Sequence, residues 1–530
     1  MTARVLEVKR WAGRDAAGRP GWVWPVGYAV AAVVLFGCYL RLSGTQPVTS
    51  DGAANALQAW DMLHGNWLLT GWTLTDVSFY TTELPEYILV EVFRGLGPAD
   101  VHIAAAITYT LLVVLAGLLA KGRKTGTEGL VRVLIASGIM IAPQVGHGVF
   151  IVLLAPDHTG TAVPVLLTWL VLDRAPRRRW VPPVIGLMLT WALLGDRVAL
   201  LTAVAPLVLV TATRSYQLII ARREPVKDSW YELSLAAAAL GSVALSGLVG
   251  ALIRHLGGFA LQPAPSAFSS VESMPAHFWW VVQGVLALFG ADFFTLTLSA
   301  SSALVLLHLA GLVLAATATV LGVRRFLGNG DLIEGVLAAA VLINLVLYLF
   351  STVPVSIWSA REIAGILPAG AALAGRTLAG PVIRNRLLPL LAVIGLGYLV
   401  ALGYGVTRPQ RPAEGQDLAG WLSAHHLSYG LSGYGFGPTT TLASGGNVAL
   451  RQATWLPDRV TPGPEEYQQT WYDPRKHDAT FVVAPVQPGP SDPFTQAQVR
   501  RIFGPPAHVY RFTSQFIIMT YDKNLLAVNP

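Results

Sequence analysis

The sequence has few charged residues and almost no cysteine. Only 13% of its 530 residues are charged, about half the fraction that is usual in soluble domains. Cys38 is the single cysteine, and we interpret it as an ordinary lipid-facing or packing residue. These two deficits exclude an ordinary soluble domain and a fold that is held together by internal disulfides.

Several sequence motifs are also missing. The chain contains no phosphate-cradling glycine loop, no Cys-x-x-Cys pair and no His-Glu-x-x-His sequence. Because these motifs place nucleotide phosphates or metal ions, their absence leaves nucleotide chemistry at a cytoplasmic face without support. Heptads, tandem repeats and low-complexity tracts are missing too, which argues against coiled-coil and solenoid architectures.

Hydrophobic residues make up 53% of the chain, and long apolar runs recur throughout the first 407 residues. A bilayer-spanning helix needs about 20 apolar residues. The pattern predicts a polytopic α-helical membrane protein with about eleven spans, at residues 22–42, 101–120, 129–146, 158–173, 181–195, 197–213, 231–252, 298–322, 332–352, 362–380 and 387–407.

The positions of the cations predict an orientation. Lys and Arg gather in the N-terminal tail and in alternate connections, as they do on the cytoplasmic side of membrane proteins. The opposite connections before residue 408 hold only Arg41, Arg94, Arg197, Arg254 and Arg361. We therefore expect a cytoplasmic N-terminus in a multi-pass protein of the cell membrane. The net charge of +7 then reflects topology and not nucleic-acid binding.

The composition divides the chain in two. Residues 1–407 form the transmembrane module, with a long first outer loop at 43–100 and an outer interfacial segment at 254–297. Residues 408–530 are rich in Pro, Gly, Tyr and charge and contain short β-type runs. They predict a small extracytoplasmic α/β domain, with a glycine–tyrosine turn region from Tyr429 to Gly437.

The first outer loop is predicted to contain two helices. An amphipathic helix runs from about Leu84 to Arg94, with Pro85 in its first turn, and Asp51 opens another directly after the first span. In a helix, Asp51, Asn55 and Gln58 share one face. A carboxylate beside two neutral hydrogen-bonding groups at a membrane surface is suited to removing a proton from a hydroxyl group. The alternative is that Asp51 only caps the N-terminus of a surface helix.

Asp157 and His158 stand side by side where the second outer loop enters the fourth span. Together they are suited to binding a divalent cation or orienting a phosphate, although Asp157 could instead cap the span. Asp196 and Arg197 form a similar neighbouring pair, for which we expect a simple local ion pair. His147 is a weaker candidate for a binding residue, because a lone histidine is more often structural than a ligand.

Arg361 and Glu362 lie at the outer start of the tenth span. A guanidinium group can bind a lipid phosphate through two parallel hydrogen bonds. The alternative is an arginine that anchors the span by reaching into the headgroup region. Because the outer connections otherwise avoid positive charge, we favour the phosphate role.

Taken together, these features resemble the GT-C superfamily of integral membrane glycosyltransferases, in particular the protein O-mannosyltransferase and aminoarabinose-transferase-like group. The resemblance rests on an acidic residue that opens an amphipathic first loop, a second acidic residue on the second outer loop, a late arginine and an outward C-terminal domain. The stretch from Asp51 to Trp72 is similar to the first loop of bacterial members. Relatives often carry a second acidic residue where this chain has Gly52, and Arg-Tyr where it has Arg361-Glu362.

The resemblance implies an inverting transfer of a sugar from a polyprenyl-phosphate carrier to a hydroxyl of a glycan, lipid or protein acceptor. Asp51 would be the general base, Arg361 and His158 would stabilise the departing lipid phosphate, and Asp157, with Asn55 nearby, would bind substrate. It leaves open whether a divalent cation, Mg²⁺ or Mn²⁺, binds at Asp157 and His158. The Ala/Gly/Arg-rich composition is typical of a high-GC bacterium.

Three other functions compete with this interpretation. A glycan polymerase or ligase of another membrane fold would rely on Arg and His in the outer loops, where both are scarce. A multi-pass transporter or lipid flippase would show matched halves with broken spans, and the sequence shows no matched halves. A membrane scaffold without enzymatic activity would tolerate replacement of Asp51 by Asn.

Overall fold

The computed structural model describes residues 23–223, 225–263, 267–294, 300–328, 330–381, 386, 388–489 and 492–528. Some residues of the sequence predictions lie outside these ranges. They are the N-terminal tail with its predicted cytoplasmic cations, residue 22 of the first span, residues 298–299 of the eighth span, residue 387 of the eleventh span, residues 264–266 and 295–297 of the outer segment, and residues 490–491 and 529–530 of the C-terminal region.

The chain is a multi-pass membrane protein built mostly of helices. Within the described residues, seven helical segments are long and apolar enough to cross a membrane, and each coincides with a predicted span. They are Val26–Ser43, Ala99–Lys121, Leu200–Ala221, Val226–His255, Ser302–Leu327, Leu332–Phe350 and Pro389–Val406.

The other four predicted spans are shorter helices, at Gly126–Met140, Ala162–Arg174, Val181–Gly195 and Ile366–Leu378. A helix of 13 residues is about 20 Å long, less than the roughly 30 Å of a hydrocarbon core. The count of eleven spans therefore stays a prediction.

Helix Ile366–Leu378 lies in the interior of the bundle. Every residue from Ile366 to Thr377 is buried, and the helix packs against Ala99–Lys121, Gly126–Met140 and Leu332–Phe350. Such a helix needs no polar outer face, which explains why its sequence is apolar from Ile366 to Gly375, before Arg376 in its last turn.

The first outer loop contains the two helices that the sequence predicted, at Ser50–Leu63 and Leu84–Arg94. The first begins with Thr49, whose hydroxyl accepts a hydrogen bond from the backbone amide of Gly52 at 3.2 Å. Thr49 is therefore the N-cap, and the capping alternative for Asp51 is wrong. The outer segment 254–297 contains a third helix, Met274–Leu288.

Further short helices flank these elements. They are His147–Leu153, Gln416–Ala424, Gly437–Ala443 and Gln496–Phe503, with 3₁₀ turns at Val226–Ser229, Val271–Ser273, Ile357–Ile363, Gln469–Tyr472 and Leu525–Val528.

Most β-structure lies after residue 408. The strands are β1 Trp72–Leu74, β2 Ala260–Leu261, β3 Tyr429–Ser432, β4 Ala449–Trp455, β5 Val460–Pro462, β6 Tyr467–Gln468, β7 Phe481–Pro485, β8 His508–Arg511 and β9 Phe516–Thr520. Six of them form a sheet in the order β5-β4-β3-β7-β9-β8. The two neighbours of β3 run parallel to it and the other pairs are antiparallel. The C-terminal region is thus mixed α and β, as predicted, while its boundary at residue 408 stays a prediction.

A second, three-stranded sheet joins distant parts of the chain in the order β2-β1-β6. Thr73 of the first outer loop pairs with Ala260 of the outer segment on one side and with Tyr467 of the C-terminal region on the other. Through this sheet the C-terminal region is hydrogen-bonded to the first outer loop.

Candidate active site

A pocket of about 280 Å³ lies where the first outer loop, the connections ahead of two buried helices and the C-terminal region meet. It is strongly acidic, since five carboxylates face one arginine and one histidine. Its lining residues are Asp51, Thr75, Asp76, Val77, Phe79, Asp157, His158, Arg361, Tyr434, Glu465 and Glu466.

Arg361 bridges two carboxylates of this pocket. Its Nη2 lies 3.3 Å from Oδ2 of Asp51, and its Nη1 lies 3.3 Å from Oδ2 of Asp157. The arginine side chain is 11% exposed and that of Asp51 is 41% exposed. Burial lowers the pKa of Arg361, but the two carboxylates outweigh it and raise this pKa. The guanidinium group is therefore a fixed positive charge.

The helix Ser50–Leu63 holds the second oxygen of Asp157. Nδ2 of Asn55 donates to Oδ1 of Asp157 at 2.9 Å, and Nε2 of Gln58 lies 3.4 Å from Oδ1 of Asn55. Of the polar face that the sequence predicted for this helix, Asn55 and Gln58 are buried, whereas Asp51 is partly exposed in the pocket. Burial raises the pKa of Asp157, and Arg361 opposes that shift.

His158 lies between two carboxylates. Its Nδ1 is 2.9 Å from Oδ2 of Asp196, and its Nε2 is 3.1 Å from Oε1 of Glu362. Burial lowers the pKa of His158, but Glu362 and Asp196 outweigh it and raise the pKa to about 10. The imidazole is consequently cationic at neutral pH and is a second positive charge beside Arg361.

The backbone of His158 is also unusual. Its φ of +61° lies in the left-handed region, which costs a residue other than glycine about 1–3 kcal/mol. The carboxylates of Asp196 and Glu362 hold the side chain in place. The ring of Phe79 adds an edge-on contact, with the two ring centroids 5.2 Å apart. Strain of this kind concentrates at functional sites.

Two residues of the C-terminal region close the pocket around Asp51. The hydroxyl of Tyr434 donates to Oδ1 of Asp51 at 2.9 Å and lies 3.4 Å from Oε2 of Glu466. Burial, together with the neighbouring carboxylates Asp51 and Asp157, holds the pKa of Glu466 well above its usual range. The C-terminal region therefore contributes both a hydroxyl group and a carboxyl group to the pocket.

The fold can be compared with known proteins at this point. No protein-family model and no curated protein sequence matches the chain. Among solved structures, ArnT from Cupriavidus metallidurans bound to undecaprenyl phosphate is similar, with a TM-score of 0.55 and 13% identity over 96% of this chain and 99% of that chain. ArnT is an aminoarabinose transferase of the GT-C superfamily. The chain has the GT-C fold.

Two structures of the Archaeoglobus fulgidus oligosaccharyltransferase are also similar, both at 12% identity. The apo form has a TM-score of 0.45 over 86% of this chain and 69% of that chain. The complex with Zn and sulfate has a TM-score of 0.46 over 93% and 73%.

Within this GT-C fold, all five site residues that the sequence predicted come together. Asp51, Asp157, His158 and Arg361 line the pocket, and Asn55 contacts it through Asp157. Asp157 binds Asn55 and Arg361 and does not cap a helix, so the capping alternative for it is wrong. Arg361 faces carboxylates in the pocket, which disagrees with the span-anchoring alternative.

Two predictions about single residues need correction or relocation. Asp196 was expected to pair with its neighbour Arg197, but its carboxylate binds His158 and also accepts from the hydroxyl of Thr161 at 3.1 Å. The carboxylate of Asp196 does not pair with Arg197 at this turn, because the fold brings His158 close to it. His147 lies outside the pocket lining, with Nδ1 2.8 Å from Oδ2 of Asp292.

Sequence reasoning missed four residues that line the pocket. Tyr434, Glu465 and Glu466 come from the C-terminal region and Asp76 from the middle of the first outer loop. The only sequence signal was the glycine–tyrosine turn region around Tyr434. Glu362 was noted as Arg361's neighbour but not as the partner of His158.

The predicted cation site at Asp157 and His158 does not fit the observed contacts. Both oxygens of Asp157 and both ring nitrogens of His158 are engaged by protein groups, and the cation Arg361 lies beside them. In the part of the chain that the structure describes, no group of three or more His, Cys, Asp or Glu is arranged to hold a metal ion.

Proposed function

We propose that the chain is a membrane glycosyltransferase that moves a sugar from a polyprenyl-phosphate carrier to a hydroxyl group of a glycan, lipid or protein. In this proposal residues 1–407 are the catalytic module, the N-terminus is cytoplasmic, and the pocket and residues 408–530 are extracytoplasmic. The similarity to ArnT, which was solved bound to undecaprenyl phosphate, supports a lipid-phosphate donor.

One observation carries the proposal. Arg361 lies 3.3 Å from each of two carboxylates, Asp51 and Asp157, in a pocket at the ends of membrane helices. A guanidinium group between two carboxylates offers a site for an incoming phosphate and, directly beside it, a carboxylate that accepts a proton. Glycosyl transfer from a lipid phosphate needs both groups in one pocket.

Asp51 would be the general base. Its side chain is the most accessible carboxylate of the Arg361 bridge, and Tyr434 fixes one of its oxygens. The acceptor oxygen would bond to the anomeric carbon as its proton passes to Asp51. The bond between that carbon and the phosphate oxygen would break on the opposite face, which inverts the configuration.

The two cations would stabilise the departing phosphate. Negative charge grows on the leaving oxygen in the transition state, and fixed cations in a pocket shielded from water stabilise it strongly. Arg361 and His158 both line the pocket. Asp157, oriented by Asn55, would position the acceptor.

The test measures sugar transfer by the purified full chain. Wild type and Asp51→Asn would be incubated with a panel of labelled polyprenyl-phosphate sugars, with membrane extract as the acceptor. Because a positioned base contributes about 10²–10⁴-fold, we expect Asp51→Asn to lose at least a hundredfold in rate with an unchanged Tm. The matched control is Asp458→Asn, an exposed aspartate of the C-terminal region, which should transfer at the wild-type rate.

Equal transfer by wild type and Asp51→Asn would remove Asp51 as the base but keep the enzyme class. Binding of the lipid donor without transfer, by either protein and with every sugar and acceptor, would favour the transporter or flippase alternative.

A further inference from the structure

A second polar pocket, of about 480 Å³, has the opposite charge. Six cationic side chains and three carboxylates line it, whereas carboxylates dominate the candidate active site. The cations are Arg123, Lys124, Arg132, Arg177, Arg214 and Arg376, and the carboxylates are Asp173, Asp331 and Glu334. Two further carboxylates, Glu128 and Glu232, pair with some of these cations from outside the lining.

This basic pocket lies at the opposite end of the helix bundle from the candidate active site. Helix Ala162–Arg174 begins just after His158 and ends beside Asp173, and helix Ile366–Leu378 begins just after Arg361 and contains Arg376 in its last turn. Each helix has 13 residues, so the two pockets are separated by about 20 Å along the helix axes.

Arg376 forms the floor of the basic pocket. Its side chain is 6% exposed and reaches Oδ1 of Asp173 at 2.9 Å and Oδ1 of Asp331 at 3.2 Å. Its Nη1 donates to the backbone oxygen of Leu119 at 2.9 Å. The arginine is therefore held in position before any ligand arrives.

Two buried donors of the basic pocket, Nε of Arg376 and Nε of Arg132, have no hydrogen-bond partner among the described residues. The same is true of two acceptors beside the cations, Oδ2 of Asp173 and Oε2 of Glu232. Buried donors normally have acceptors. A phosphate group, with several acceptor oxygens and negative charge, is the ligand that such arginines bind best.

The remaining lining favours a lipid as the source of that phosphate. Leu172, Tyr231, Leu332 and Ile333 give the pocket an apolar side, and the pocket opens between the ends of membrane helices. Basic pockets between membrane helices bind anionic lipid headgroups. A soluble anion would gain nothing from the apolar side.

We propose that this basic pocket binds the phosphate group of an anionic lipid in the leaflet opposite the candidate active site. Arg132 and Arg214 contact the phosphate, and Arg376 supports the site from below. The proposal does not depend on the glycosyltransferase function.

The test uses the detergent-purified full chain and native mass spectrometry. Dioleoylphosphatidic acid, dioleoylphosphatidylcholine and inorganic phosphate would each be titrated, and bound copies counted. Losing one charged hydrogen bond weakens binding by about tenfold or more, so Arg132→Gln and Arg214→Gln should each bind phosphatidic acid about tenfold more weakly. Arg324→Gln, an exposed arginine outside the lining, should bind within about twofold of wild type.

Arg361→Gln distinguishes the two pockets, since a loss of binding in that variant alone would place the lipid in the candidate active site and overturn the proposal. Equal affinity for phosphatidylcholine, or unchanged binding in Arg132→Gln and Arg214→Gln, would also overturn it. Inorganic phosphate that binds as tightly and displaces the lipid would assign the pocket to a free phosphate and refute the lipid source.

A measurement on wild type covers the case that a variant fails to fold. Bound phosphatidic acid should slow hydrogen exchange in residues 122–132 and 173–177, which border the pocket. Protection confined to residues 357–363 would contradict the proposal.

Discussion

Arg361 shows how much one side chain determines in this molecule. It is the cation that two carboxylates share, and it contacts both through separate nitrogens. A planar guanidinium group has several N–H donors in a fixed arrangement, so it can bind two carboxylates at once, whereas an ammonium group is a single point charge. The choice of arginine therefore sets the geometry of the pocket as well as its charge.

We expect Arg361→Lys to retain the fold but lose activity. Lysine keeps the charge but bridges Asp51 and Asp157 poorly, so sugar transfer should fall by about tenfold to a hundredfold, which corresponds to the loss of one charged hydrogen bond. Transfer rates and the KM for the lipid donor check this. Arg361→Gln should transfer sugar more slowly still, because it also loses the positive charge. A wild-type transfer rate in Arg361→Lys would show that the positive charge alone is sufficient.

The charge of His158 should make stability depend on pH. The folded-state pKa of about 10 lies above the ordinary value of 6.5, so folding favours the protonated form. The resulting stabilisation is fully present below about pH 6.5 and is lost as pH rises towards 10. The Tm of wild type should thus exceed that of His158→Gln most at pH 6.5, and the difference should shrink by pH 10. Parallel Tm curves over this range would contradict a charged His158.

At the scale of elements, the sequence predicted those helices well whose formation depends on residues close together in the chain. The helices Ser50–Leu63 and Leu84–Arg94 follow from apolar periodicity and from Pro85 in a first turn. The predicted spans at 158–173 and 362–380 began too early. Their first residues bind partners in the pocket, so the helices start at Ala162 and Ile366.

Gly52 explains a difference from the relatives that the sequence resembles, which often carry an acidic residue there. A Cβ atom at this position would lie 2.8 Å from Cγ1 of Val101 and 3.4 Å from Cβ of Ala155. The helix Ser50–Leu63 thus packs against its neighbours through a bare backbone. A second carboxylate beside Asp51 would not fit without moving the helix that carries it.

Gly52→Ala should therefore destabilise the protein, although alanine normally favours a helix by about 1 kcal/mol over glycine. Overpacking of this kind costs about 1–3 kcal/mol, so we expect a lower Tm and reduced sugar transfer. Gly420→Ala is the matched control, since it lies in helix Gln416–Ala424 with no atom within 4 Å of the added Cβ. It should leave the Tm equal or higher. A higher Tm in Gly52→Ala would refute the close packing.

At the scale of the whole molecule, the C-terminal region completes the candidate active site. Composition was enough to predict a mixed α/β region, and cation placement to predict an orientation for it. Neither could show that Tyr434 reaches Asp51 and that Glu466 lines the same pocket, because contacts between distant segments leave no periodic signal in one sequence. For the same reason the sequence could not predict that His158 pairs with Asp196.

Tyr434→Phe tests the functional importance of this contact. The variant keeps the aromatic ring but removes the hydrogen bond to Asp51, so kcat should fall by about tenfold with little change in the KM for the donor. Tyr510→Phe, in strand β8 of the same region, is the control and should behave as wild type. An unchanged kcat in Tyr434→Phe would restrict the C-terminal region to a structural role.

The hydrogen bond between Tyr434 and Asp51 joins residues 383 positions apart, and β1 likewise pairs with β6 near the end of the chain. These contacts cannot form until the chain has been synthesised beyond residue 467. The pocket thus remains incomplete while the helices enter the bilayer one after another. During biosynthesis, competence for the proposed sugar transfer should appear only after residues 434–468 have been synthesised and have reached the pocket.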